Sequence, residues 1–149
     1  MPISNGTGRF SVGRDCTLMV AHPQAPGGRL QLDNVMDFSC KQETANIKKD
    51  RLDGVQLIAE LPKGWTGSFT VERSGPGVDQ FFALAETAWF TGGIWNVASV
   101  YQFVVEPDGS STTFQFENAA LKFENAGDWK GDASITQHIS FTASRRRIV

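Results

Sequence analysis

The chain has 149 residues, 40% of them hydrophobic and 20% charged, which suits one domain whose core can stand without metal or disulfide staples. Fourteen Lys and Arg against sixteen Asp and Glu leave a net charge of −2, so no global basic surface exists to hold nucleic acid or an anionic membrane. No apolar stretch approaches the roughly 20 residues of a spanning helix, and the start, Met1 to Gly6, has neither the basic residues nor the apolar run of a secretory signal, so synthesis in a cytoplasm is expected.

Met1 to Gly13 is rich in glycine and small polar residues and buries too little apolar area to order itself; it reads as an arm that orders on a partner. From Cys16 the period is two. Cys16, Leu18 and Val20 alternate with Thr17 and Met19, and Met36, Phe38 and Cys40 alternate with Asp37, Ser39 and Lys41, giving two half-buried strands, with Arg29 to Leu32 a short strand between them. Cys16 and Cys40 are too few for a disulfide framework and read as buried free thiols. Glu43 to Asp53 carries charges of both signs and few apolar residues, and reads as a long exposed loop. Val55, Leu57, Ala59 and Leu61 resume the alternation, Pro62-Lys63-Gly64 turns the chain, and Phe69 and Val71 mark the next strand.

After Ser74-Gly75-Pro76-Gly77 the period changes. Val78, Phe81, Phe82, Ala85 and Trp89 share one face of a helix that Gly92-Gly93 ends. Tyr101-Phe103-Val105 and Thr112-Phe114-Phe116 flank Asp108-Gly109, a favourable hairpin turn. Ala119, Leu121 and Phe123 alternate, as do Ala133, Ile135, Ile139 and Phe141, despite Gln137 on the apolar side. The predicted fold is mainly β, a barrel or sandwich of about seven or eight strands with one flanking helix, in a single domain ending in a tail over residues 143–149.

Catalytic chemistry is sparse. Cys16, His22 and Asp15 are the best nucleophile, base and orienter available, but Cys16 faces the core and His22 lies at the far end of its strand, so no enzyme is expected. His138, a single imidazole on a polar strand face, makes a poor metal site. Ser74 to Gly77 is a helix entry without phosphate-loop spacing or lysine, and no cofactor is expected. Arg145-Arg146-Arg147 reads as a solvated tail. Trp65 and Trp129, beside glycine-rich turns, could stack on sugar, which makes a carbohydrate-binding β-sandwich the competing reading to an interaction protein. An unanchored arm, a long charged loop and open sheet edges are features that a protein meeting copies of itself would keep, and a heterologous contact that closes gives a ring.

The order of elements resembles the bacteriophage tail tube proteins and is similar to the tube protein of type VI secretion. The resemblance rests on the strand Asp33 to Cys40, its charged extension Lys41 to Gly54, the strand Trp65 to Glu72 leading into the helix from Val78, and the alternating strands that follow to Phe141. It implies a structural virion subunit, six copies per ring, with rings stacked into a hollow conduit for DNA. It further implies sheath, baseplate and tail terminator proteins as partners, and DNA that passes without specific binding. In that reading Glu43, Ile47, Lys48, Lys49, Asp50, Arg51, Leu52 and Asp53 form a subunit interface. The acidic balance suits such a conduit, because a basic lumen would hold DNA through counterion release.

Overall fold

A computed structural model describes residues 16–23, 28–32, 34–93 and 97–149. The N-terminal arm, Asp15 and Trp95 lie outside them. The elements run β1 (Cys16–Ala21), β2 (Arg29–Gln31), β3 (Val35–Asp50), β4 (Gln56–Glu72), α1 (Gly77–Gly92), β5 (Ala98–Val105), β6 (Ser111–Asn125), β7 (Thr136–Ala143) and β8 (Arg145–Ile148). The strands pair antiparallel in the order β2-β1-β5-β6-β7-β4-β3, with β8 added on β6.

Two layers arise because β6 serves both. Its first half pairs with β5 on one side and β8 on the other, and its second half, from Ala120, pairs with β7. The crossing falls at Asn118, which has φ 53°, a left-handed conformation that asparagine tolerates better than most residues. Its side-chain amide donates to Ser144 Oγ at 3.2 Å, and the Ser144 N–H donates to the Glu117 carbonyl at 3.0 Å, so the link between β7 and β8 is fastened to this corner. The result is an open sandwich, not a closed barrel.

Phe116, fully buried on β6, joins the layers: its ring meets Phe141 at 5.1 Å, Trp65 at 6.1 Å and Phe38 at 6.2 Å. Leu18, Val20 and Val100 complete one inner face, and Phe69, Val71 and Ile139 the other. Of the residues expected inward, Leu18 and Val20 of β1 and Ile139 and Phe141 of β7 are in the core and Cys16 is half-buried, whereas Ala133 is exposed and, with Ile135, precedes the strand. The helix has the expected bounds, closed by Gly93 at φ 66°. Phe81 is buried edge-on against His22 at 4.7 Å, and Phe82 stacks on Phe123 at 4.6 Å. The Asp108-Gly109 turn forms with Gly109 at φ 95° and Asp108 accepting from the Ser110 N–H.

Four local expectations are corrected. Glu43 to Asp50 is not loop but the outer half of β3, paired residue by residue with β4. Pro62-Lys63-Gly64 does not turn the chain: Glu43 pairs with Gly64 and Thr44 with Pro62, so Lys63 is the extra residue of a bulge within a continuous strand. A second register shift between Val35 and Asp37 throws Met36 outward, leaving Val35 to pack on the core. Arg145 to Arg147 is no free tail but belongs to β8, held against Phe114 to Glu117 of β6.

Candidate functional site: a projecting hairpin

β7 accompanies β4 only from Trp65, opposite Ala143, to Glu72. Beyond that point β3 and β4 continue as a two-stranded ribbon to the pair Asp50 and Gln56, a reach of about 20 Å at the usual rise per residue. The ribbon leaves the body at Gly64, which has φ 121° and lies so close to β7 that a Cβ there would stand 2.6 Å from the Ala143 carbonyl oxygen. Only glycine fits, and the bulge at Lys63 re-aims the strands where their support ends.

Cross-strand pairs share a face, so the ribbon's two faces can be assigned from the register. One carries Ala45, Ile47, Lys49, Leu57, Ala59 and Leu61; the other carries Thr44, Asn46, Lys48, Ile58 and Glu60. On the second face Glu60 accepts from Thr44 Oγ1 at 2.8 Å and from the Asn46 amide, and these hydrogen bonds hold its carboxyl below the ordinary range. At the root, Thr66 Oγ1 donates to Glu43 at 3.2 Å. The first face has no such network, and Ile47, Leu57 and Leu61 are exposed. At the apex the Arg51 N–H donates to the Val55 carbonyl at 2.9 Å, the Gly54 N–H to the Arg51 carbonyl at 3.0 Å and the Val55 N–H to Asp53 Oδ1 at 3.0 Å. Arg51 also pairs with Asp53 at 3.1 Å. This ordered turn presents Leu52 fully to solvent.

The eight residues expected at an interface are thus brought onto one projection but divided among its parts: Glu43 at the root, Ile47 and Lys49 on the apolar face, Lys48 and Asp50 on the other, and Arg51, Leu52 and Asp53 at the apex. Sequence reasoning missed the contribution of β4. The alternation of Leu57, Ala59 and Leu61 is real, but it does not mark a buried face: Val55, Leu57, Ile58 and Leu61 are all exposed.

The other candidates dissolve into structure. Cys16 and His22 stand at opposite ends of β1, roughly 20 Å apart along an extended strand, too far for proton transfer. Burial pushes the Cys16 thiol up, partly offset by the Gln102 amide that donates to Sγ at 3.4 Å. The Cys40 thiol is likewise raised by burial, against the opposing field of Arg146. His138 Nδ1 bonds Thr70 Oγ1 at 2.9 Å, and among the described residues no cluster of His, Cys, Asp or Glu could hold a metal ion. The guanidinium of Arg146 lies 3.7 Å over the Phe114 ring and 4.8 Å from that of Trp65, and Arg147 pairs with Glu117 at 2.8 Å. Trp65 is therefore a half-buried wall of the sandwich. Trp129 is exposed, with Arg73 5.0 Å from its ring centre. No described helix is long and apolar enough to cross a membrane.

No protein-family profile and no characterised sequence matches the chain. Solved structures do. A chain of the sheath/tube terminator of PVC, an extracellular contractile injection system in its extended state, superposes with a TM-score of 0.62 at 11% identity over 100% of this chain and 97% of its own. The SPP1 tail tube gives 0.59 at 10% identity, covering 93% of this chain and 78% of that one. A chain of the PVC sheath-tube complex gives 0.58 at 11% identity, covering 89% and 88%. The fold is thus that of tail-tube and injection-tube assemblies, as the resemblance in element order implied.

Proposed function

We propose that this chain is a structural subunit of a phage tail tube: six copies close a ring, and rings stack into a hollow conduit through which DNA passes without specific binding. It is made in the host cytoplasm and resides in the virion tail, where sheath, baseplate and tail terminator proteins are its neighbours. Its role is architectural, without turnover. The observation that carries this reading is the ribbon of residues 44–63, which projects from the body with Ile47, Leu57 and Leu61 uncovered on one face. A two-stranded ribbon is marginal in water by itself, and an apolar face of this kind marks a contact with another molecule. Glu43, Ile47, Lys48, Lys49, Asp50, Arg51, Leu52 and Asp53 then belong to a subunit boundary, where mixed charges set register and reject wrong partners. Support comes from the fold it shares over nearly its whole length with the SPP1 tail tube.

The test shortens the ribbon. Replacing residues 45–61 with an Asn-Gly turn leaves the three-strand support of the body intact, so the variant should keep a β-type circular dichroism spectrum and a cooperative melt. Negative-stain microscopy of the concentrated wild-type chain should show rings or tubes, and the shortened chain should show none. Tubes of normal length from the shortened chain would refute the assignment.

A further inference from the structure

The apex of the ribbon and the opposite end of the same strand have complementary shapes and charges. At its far end β4 runs through Val71 and Glu72 into Arg73, and between this stretch and the first turn of α1 lies a cavity of ≈170 Å³. Leu32, Val71 and Val78 give it apolar walls, buried Gln137 closes it, and Glu72 and Arg73 stand at its rim. The pocket opens to solvent and has mixed walls, and its volume exceeds the about 150 Å³ that holds a benzene ring, so the four carbons of a leucine side chain fit it. We propose that Leu52 of one copy seats in this cavity of a second copy, with Arg51 meeting Glu72 and Asp53 meeting Arg73 across the boundary.

This inference rests on the self-assembly reading above and adds to it the surface that the ribbon meets. Three observations carry it. Leu52 is fully exposed yet sits on a turn fixed by three hydrogen bonds, so little ordering remains to be done on docking. The knob and the cavity lie at the two ends of β4, roughly 50 Å apart at the usual strand rise, so no chain can fill its own cavity and each copy offers a knob in one direction and a hole in the other. Such a contact is heterologous and propagates along the strand direction. Finally, the basic-then-acidic order at the apex faces an acidic-then-basic order at the rim. The Arg51 and Asp53 pair is solvent-exposed and loses little by exchanging partners, and Arg73 bonds Asp79 through Nε at 2.9 Å, a contact that does not use its two terminal nitrogens.

The experiment places a photoreactive benzoylphenylalanine at position 52 and mixes this chain at about one part in ten with wild-type protein, so that the wild-type chain drives assembly. After irradiation, peptide mass spectrometry should locate adducts on Leu32 or residues 71–78 of a neighbouring copy. In parallel, Arg51→Glu should lower the assembled fraction at least tenfold, and adding Glu72→Arg to the same chain should recover most of it. Oligomers whose adducts fall elsewhere, or a double variant no better than Arg51→Glu alone, overturn the docking while leaving self-assembly standing. A wild-type chain that forms no oligomer overturns both.

Discussion

Gly67→Ala tests the packing at the body end of the ribbon. Gly67 lies on the inner face of β4, between Cys40 of β3 and Phe141 of β7. A Cβ there would stand 2.5 Å from Phe141 Cζ, 2.8 Å from Cε1 and 2.8 Å from the Ser39 carbonyl oxygen. None of these can retreat freely. Phe141 is 2% exposed, with its ring against Phe38 at 6.1 Å and Phe116 at 5.1 Å, and Ser39 O is backbone of the paired strand. Inserting a carbon into a packed core costs typically about 1 to 3 kcal/mol, and three simultaneous overlaps put this site near the upper end. For a chain of this size each kcal/mol lowers Tm by about 2 to 4 °C, so the variant should melt about 6 to 12 °C lower, read by circular dichroism at a concentration that keeps the protein monomeric. Gly75→Ala is the control: its Cβ meets nothing within 4 Å and its φ is not left-handed, so stability should hold or rise by up to about 1 kcal/mol. Adding Phe141→Leu to Gly67→Ala should cost less than Phe141→Leu does in the wild-type background, since the two changes share one contact. A Gly67→Ala melt within 2 °C of wild type would refute the reasoning.

Phe116→Ala, which removes the ring joining the two layers, should cost about 3 to 5 kcal/mol in urea unfolding. The thiols of Cys16 and Cys40 are raised by burial, so their contribution is fully present below the unfolded thiol pKa of about 8.5 and is lost as pH rises through the folded values. Native protein at pH 7.5 should therefore alkylate much more slowly than urea-unfolded protein, and the urea midpoint should fall between pH 8.5 and 10 less steeply in the Cys16→Ala, Cys40→Ala variant. The Glu60 carboxyl is lowered by Asn46 and Thr44, so its contribution is present above the unfolded pKa of about 4.3 and is lost as pH falls through the folded value. Protection of the amides at residues 44–46, taken relative to intrinsic exchange at each pH, should fall as Glu60 is protonated in the wild type, and Glu60→Gln should remove that dependence.

Where burial and local pattern coincide, the sequence is a sufficient guide. Leu18 and Val20, the Phe81 face of α1 and the alternation of Ile139 and Phe141 each signal their structure within a few residues, because each buries one face against the chain's own core, and the exposed Asp108-Gly109 turn does so through its own backbone and side-chain chemistry. Glu43 to Asp50 gives no such signal. Its strand is stabilised by cross-strand partners, Asn46 and Thr44 with Glu60, that lie 14 and 16 residues away, and its charged residues imitate a loop. The bulges at Met36 and Lys63 are equally hidden, since one extra residue changes which face is buried without altering composition. Arg146 reverses the usual expectation altogether: in an arginine run it looks solvated, yet its plane lies on Phe114 within the sandwich. The site residues at the apex were legible as unburied, whereas the ordered turn that presents them was not.

How β3 is protected bears on the proposed contact. It is the terminal strand of its layer, and a long terminal strand invites pairing with any free strand it meets. Along its projecting half it carries Lys48 and Lys49, its ladder is interrupted by the register shift between Glu43 and Thr44, and Lys41 guards the body just before the root. Charged edge residues and bulges of this kind blunt strand addition. The exposed apolar residues, in contrast, stand on the ribbon's faces, Ile47, Leu57 and Leu61 on one and Ile58 on the other, and at its apex in Leu52. Growth by edge pairing would be unselective about register, since a sheet edge offers the same hydrogen bonds every two residues. A face and a knob offer one fit each. Under the proposed assembly, in which copies add at a fixed spacing, a closed edge and an open face serve best, and that is the distribution of charge and apolar surface along this ribbon.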